Sequence, residues 1–407
     1  MSKIMVVIGL SIIIFLPLNS VTVVASTTGI WSRVESEASD YYSIWGDGSA
    51  IYTCGNSPTR LEVVKWTNDG FILWNQTFTS TSGSHGNAIT GKETALFTCG
   101  YVYQGINMED LLIVKWNATG GVQLWNYTWG STADEEGLDI WTDGISAYTC
   151  GLYHEINHSE IYSLTLIKWD ALTGARLWNH TFGNYTYFTK AAVWGVGDCI
   201  YVCKGNYLGK WNSSGIQTWN TTLSSMTMHA LWGDDRWLYA CGDTGTNTTV
   251  LKWDTSSDML VWSVVIEEMS SSIWGFDEAL YVAGSTLTIG PGGSNIILSR
   301  LDVASGSEIW MRTWGTENSD RAFDVWCNSV AIYTSGIKGE DTGTYGVIIK
   351  WGHDGSAPLM PRDVWNLIRI ATAWILGSVV AFFFTIHVLR ETGRLNKAMK
   401  KATQPRS

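Results

Sequence analysis

The chain has 407 residues, enough for one large domain or two ordinary ones, and carries a formal net charge of -11. Its 42 glycines and 24 tryptophans stand against only 6 prolines, and no long stretch has helical periodicity, so many short strands are expected rather than a helical bundle. Acidity of this size makes a nucleic-acid partner a poor fit, because phosphate binding needs a basic surface.

In chain order, residues 1–25 read as a secretory signal peptide. Lys3 precedes a long apolar run, and Ala25 supplies the small residue at the exit. An uncleaved amino-terminal anchor is the alternative, since the apolar run is long for a signal. Residues 26–357 form the expected ectodomain, 358–364 a linker, 365–389 a transmembrane helix and 390–407 a basic cytoplasmic tail. Residues 371–389 contain no Asp, Glu, Lys or Arg, and Trp365 and Trp374 suit a membrane interface. Arg390, Arg394, Lys397, Lys400, Lys401 and Arg406 follow, opposed by Glu391 alone, which places the tail inside the cell. The chain is thus expected at the cell membrane as a single-pass type I protein, with its ectodomain extracytoplasmic.

Within the ectodomain a unit repeats. Lys65-Trp66, Lys115-Trp116, Lys168-Trp169, Lys210-Trp211, Lys252-Trp253, Arg300-Leu301 and Lys350-Trp351 are spaced by 50, 53, 42, 42, 48 and 50 residues, a period typical of propeller blades. Upstream of each lies a strand such as "IYTCG" or "LYVAG", and before that, in most units, an apolar strand ending in Trp. Downstream comes a turn and then Trp74, Trp125, Trp178, Trp219, Trp262 or Trp310. Each unit therefore predicts four antiparallel strands, a to d. The seventh unit lacks its strand d, and "TTGIWSRVE", residues 27–35, matches the missing piece. An all-β, seven-bladed β-propeller follows, with the N-terminal strand closing the last blade and one C-terminal transmembrane helix beyond it. Nineteen of the 24 tryptophans fall on repeated positions, where packing between blades explains them better than ligand stacking.

"TWGTENSDRAFDVWCNSVAIYTSG" and "TWGSTADEEGLDIWTDGISAYTCG" resemble the repeats of SBBP-type seven-bladed surface proteins of bacteria and archaea. "KWDALTGARLWN" resembles the tryptophan-docking motif of quinoprotein-like propellers, and the Trp, Thr and sequon content is similar to that of archaeal envelope proteins. The resemblance covers about residues 27–355. It implies the fold, and implies little about activity, since most such proteins have none assigned. A quinoprotein would imply pyrroloquinoline quinone, but those enzymes generally have eight blades and often an adjacent Cys-Cys pair, which this chain lacks.

Long, variable connections between strands b and c, joined on one face by the d–a loops, are where recognition is expected. Acids cluster in the d–a loops: Asp40, with Glu35 and Glu37 before it, then Asp134, Glu135 and Glu136, and finally Glu317 and Asp320. They are candidates for an outer-face binding site for a basic partner or Ca²⁺, with solvated turn acids as the plainer reading. No catalytic, cofactor or metal site is otherwise assigned, and no cofactor is expected. Five cysteines share the strand-b position of different blades, too far apart for disulfides. Nine Asn-x-Ser/Thr sequons, at Asn75, Asn117, Asn126, Asn157, Asn179, Asn184, Asn212, Asn220 and Asn247, mark candidate N-glycosylation sites. The expected function is binding, adhesion or scaffolding of a protein or glycan ligand through the membrane-distal face. The alternative is an extracytoplasmic enzyme of quinoprotein or carbohydrate-active type.

Overall fold

The four-residue strand Trp31–Val34 pairs with Gly343–Trp351, more than three hundred positions along the chain, and so joins the two ends of the propeller. In this computed structural model the described residues are 4–8, 12–16, 30–34, 39–105, 108–154, 161–185, 190–224, 226–245, 247–341 and 343–357. The chain divides into two compact units, Met1–Pro358 and Leu359–Ser407. The second unit, with nearly all of the expected linker and all of the span and tail, lies outside the described residues. Among the described residues no helix is long and apolar enough to cross a membrane. Within the expected signal segment, Ile4–Ile8 pairs antiparallel with Ile12–Leu16.

Seven four-stranded antiparallel sheets make the first unit's ring. In order a to d, blade 1 is Asp40–Gly46, Ala50–Asn56, Leu61–Thr67 and Ile72–Thr77. Blade 2 is Ser84–Lys92, Ala95–Tyr103, Glu109–Asn117 and Gln123–Trp129, and blade 3 is Asp134–Thr142, Ser146–His154, Tyr162–Asp170 and Arg176–Tyr185. Blade 4 is Ala191–Val196, Cys199–Lys204, Tyr207–Asn212 and Gln217–Thr222. Blade 5 is Thr227–Gly233, Trp237–Thr244, Asn247–Asp254 and Met259–Ile266, and blade 6 is Met269–Phe276, Ala279–Thr286, Asn295–Asp302 and Glu308–Trp314. Blade 7 takes Arg321–Cys327, Ile332–Glu340 and Gly343–Trp351 from the C-terminal side and Trp31–Val34 from the N-terminal side. This is the closure expected from residues 27–35. It removes the open edge that a linear stack would leave.

Each blade carries one cross-sheet row that explains the repeated residues. In blade 3, Trp141 pairs with Tyr148, Tyr148 with Lys168, and Lys168 with Trp178. The row is Trp45, Tyr52, Lys65 and Trp74 in blade 1, and Trp326, Tyr333, Lys350 and Trp31 in blade 7. The lysine lies against the strand-b aromatic ring of its row, 5.4 Å from the centroid both for Lys168 and Tyr148 and for Lys115 and Phe97. Its ammonium then donates to a backbone carbonyl in the c–d turn of the next blade: Lys65 to Ala118, Lys115 to Ala171, Lys168 to Ser213, Lys210 to Thr255 and Lys252 to Val303. Arg300 reaches His353 and Lys350 reaches Asn68, so the clasp continues around the whole ring.

The tryptophans divide by strand. Strand-c indoles are buried in their own blade, and Trp66, Trp116, Trp169 and Trp351 donate Nε1–H to Thr53, Thr98, Thr149 and Thr334 of strand b. Strand-d indoles lean onto the next blade, where the c–d turn bends back through a positive-φ glycine. Trp178 covers Gly215 at φ 83°, and a Cβ there would press on the indole. Strand-a indoles lie over the following blade's strand a, as Trp326 does over Gly46. The "Cys-Gly" glycine of strand b has a separate cause. Strand a bulges opposite it in six blades, bringing a strand-a carbonyl where a Cβ would stand. Blade 4 has Lys204 instead of that glycine, and its strand a pairs without a bulge.

Candidate binding face and axial cup

The two faces of the ring differ. On one, the a–b and c–d turns are short and self-capped: Asp170 accepts from the backbone of Leu172 and Thr173, Asn117 from Thr119 and Gly120, and Asp143 from Ile145 and Ser146. The axial channel is narrowed at this end by strand-a indoles. Trp194 and Trp274, from blades 4 and 6, meet edge to face at 5.5 Å, and Trp232 lies 6.4 Å from each. On the opposite face the connections vary: the b–c connections span two residues in blades 4, 5 and 7 and four to eight in blades 1, 2, 3 and 6. The uniformly long b–c loops expected from the sequence are thus confined to four blades, because strands b and c of the others run on into tight hairpins.

Above the indoles the channel wall becomes charged. Asp139 and Asp324 stand just after the strand-a bulges of blades 3 and 7. Asp139 accepts from the Val193 backbone in blade 4 at 2.8 Å. Asp324 accepts from the Ile44 backbone at 2.9 Å, from Ser43 at 2.8 Å and from Ser272 at 2.6 Å, which ties blades 6, 7 and 1 together. Burial pushes Asp139 up to about 7, with Asp324 adding repulsion, and burial pushes Glu136 up to about 7 despite the hydrogen bond from Asn87. Lys190, directly before strand a of blade 4, extends to the far side of the ring, where its ammonium lies 6.0 Å from the Phe323 ring centroid in blade 7. Its side chain is solvent-accessible, yet burial by the surrounding wall lowers its pKa, while Asp324, Asp243 and Asp139 oppose that fall. These groups, with Phe323 beneath the ammonium, line an axial cup about Lys190. In its wall Lys204 is fully buried against Tyr185 and pushed down to about 8 by burial.

His229 and Asp243 of blade 5 complete the cup. His229 is 8 % exposed, and burial holds it below the usual histidine range. Its Nε2 lies 3.3 Å from Asp243 Oδ2 without hydrogen-bond alignment, and neither ring nitrogen has a hydrogen-bond partner. Asp243 Oδ1 is likewise buried without a partner.

The six acids singled out in the sequence do not meet at one point. Asp40, Asp134, Glu135 and Glu136 lie on strand a rather than in the d–a loops, because those strands begin earlier than the loop pattern suggested. Glu135 and Asp320 are fully buried acceptors holding Ser131 and Thr316 respectively, so their carboxylates shape the adjoining d–a loops rather than face solvent. Glu317 is exposed beside Asp320. Asp40 accepts from Tyr42 and Thr344, Asp134 from the Glu109 backbone, and Glu136 alone of the six is part of the charged cup wall, through Asn87 and Lys204. Glu35 and Glu37 lie outside the described residues. Among the described residues no group of three or more His, Cys, Asp or Glu is arranged to hold a metal ion. Lys190, His229, Asp243, Asp139 and Asp324 were not singled out in the sequence. The legible trace was a polar residue two positions before the strand-a Trp, as in "LDIW" and "FDVW".

The sequons fall into classes. Asn75, Asn126 and Asn220 are exposed on the outermost strands and Asn184 near the end of one, while Asn179 is half-buried. Asn117 and Asn212 cap c–d turns, and Asn247 opens strand c of blade 5. Asn157 lies outside the described residues. All seven cysteines are free, and burial raises the thiols of Cys54, Cys99, Cys150, Cys203, Cys241 and Cys327. A small, partly open pocket lies between blades 5 and 6, beside Glu268 and Ser270.

No family model matches the chain, and no curated protein matches it in sequence. Solved structures do match in fold. The WD40 domain of Pan2 from Neurospora crassa aligns with a TM-score of 0.53 at 8% identity, covering 79% of this chain and 92% of that one. Sqt1 from Saccharomyces cerevisiae aligns with a TM-score of 0.47 at 11% identity, covering 78% of this chain and 98% of that one. The chain is a seven-bladed β-propeller. At this identity the likeness to the WD40 domain is one of fold alone.

Proposed function

We propose that this chain is a membrane-anchored, extracytoplasmic propeller of the SBBP type that binds or scaffolds a protein or glycan ligand through its long-loop face. The contrast between the two faces carries the reading. The turns of one face are regular and cap themselves, through Asp143, Asn117 and Asp170 among others, whereas the other face surrounds the charged groups about Lys190 and carries the longest connections, in blades 3 and 6. Exposed Asn75, Asn126 and Asn220 would carry glycans around the rim.

Loop replacement tests this. In the full-length protein, the b–c connections at 104–108 and 155–161 are exchanged for two-residue Asn-Gly turns, and adhesion of cells displaying the protein to envelope-coated surfaces is measured. Loss of adhesion with unchanged thermal stability is expected. Adhesion that survives both replacements and falls when the c–d turns are altered contradicts the reading.

A further inference from the structure

We propose that the axial cup is a site for a lysine ammonium of a protein partner, and that Lys190 is its tethered occupant until the partner displaces it. The inference rests on the long-loop face being the binding face and assigns the chemistry of its centre.

Three observations lead there. First, the cup already holds an ammonium. Lys190 stands over Phe323, which packs against Tyr42 at 5.1 Å, and the carboxylates of Asp324, Asp243 and Asp139 all favour its charge. It makes no hydrogen bond or ion pair among the described residues, so leaving breaks no direct polar contact. Second, acceptors stand vacant beside it. His229, more than nine-tenths buried, faces Asp243 Oδ2 with its Nε2 at 3.3 Å, and its Nδ1 and Asp243 Oδ1 are buried without a hydrogen-bond partner. An ammonium has three donors and no acceptor, the complement of a neutral imidazole nitrogen and a carboxylate oxygen. An incoming carboxylate or phosphate would instead face Asp139, Asp243 and Asp324. Third, acids outnumber bases at the approach. Glu109, Glu267 and Glu317, with Asp134 beside His154, stand on the long-loop face against Arg60 and Arg321, and Lys338 is already paired with Glu340. A field of this sign concentrates a basic segment at the mouth of the cup.

Lys190 then acts as a competitor. A tethered group occupying the cup about nine-tenths of the time weakens an incoming ligand about tenfold. The test uses the full-length protein in detergent, with a fluorescent pentalysine peptide and a pentaglutamate peptide as probes at fixed low salt. Lys190→Ala is expected to tighten pentalysine binding about tenfold, and Asp243→Asn to weaken it, with pentaglutamate unbound throughout. Unchanged or weakened pentalysine binding by Lys190→Ala overturns the proposal, as does pentaglutamate binding that depends on Lys190. A second readout needs no variant. In the wild-type protein, saturating pentalysine should raise the rate at which an amine-reactive reagent modifies Lys190, measured by mass spectrometry. A rate unchanged at saturation also overturns the proposal. Neither failure touches the binding-face reading, which is decided by loop replacement and not by the chemistry of the cup.

Discussion

Lys204 shows how one residue records the geometry of its blade. Elsewhere strand b has glycine at this position because a bulged strand a brings its carbonyl too close for any side chain. In blade 4 the bulge is absent and a fully buried lysine fills the space. The repeated "Cys-Gly" was visible in the sequence, but its cause was not, since a bulge is a property of two strands in register. Asp139 and Glu136 have a thermodynamic consequence. Both are raised to about 7 in the fold by burial, against about 4 in an unfolded chain. The folded state therefore binds more protons in that window. The stabilisation they contribute is complete below about pH 4 and is lost as pH rises through about 7. Urea unfolding of the wild type and of the Asp139→Asn, Glu136→Gln double variant between pH 5 and 8 measures this. The wild type should lose stability more steeply with rising pH, and parallel curves would show that these carboxylates titrate normally in the fold.

At the scale of elements, the strand order and ring closure were legible because each strand repeats with a recognisable end. Trp closes strand a in six of the seven blades, and Lys-Trp closes strand c in all but one. The clasp from each strand-c lysine or arginine to the next blade's turn carbonyl was not legible, because its acceptor is backbone and leaves no mark in side-chain identity. Nor were the roles of Glu135 and Asp320. An acid in a turn reads the same from sequence whether it faces solvent or folds inward onto Ser131 or Thr316. The closing strand makes the sharpest element-level prediction. Trp31 is 8 % exposed, packs on Gly70, and donates to Asn68 across the seam between blades 7 and 1. Trp31→Ala should cost about 3–5 kcal/mol of stability. Hydrogen exchange should locate the loss in Gly343–Trp351 and Asp40–Gly46, the strands flanking the seam. Uniform loss of protection around the ring would mean that closure by this strand is not the weak point.

For the whole molecule, two constraints shape one object. Indole packing and the lysine clasps tie each blade to the next on the short-turn side. The strand-a carboxylates and Lys190 place charge about the axis on the other. Fold class followed from periodicity, whereas the cup required seven strands converging on an axis, and no local pattern encodes that convergence. Residue-specific photo-crosslinking in cells producing the full-length protein tests the resulting asymmetry most directly. Photoreactive side chains are placed at Arg60, Gln104 and Glu317 on the long-loop face and at Asp143, Leu172 and Val330 on the short-turn face. The account predicts partner adducts from the first three positions and none from the others, whereas adducts concentrated at Asp143, Leu172 and Val330 would contradict it.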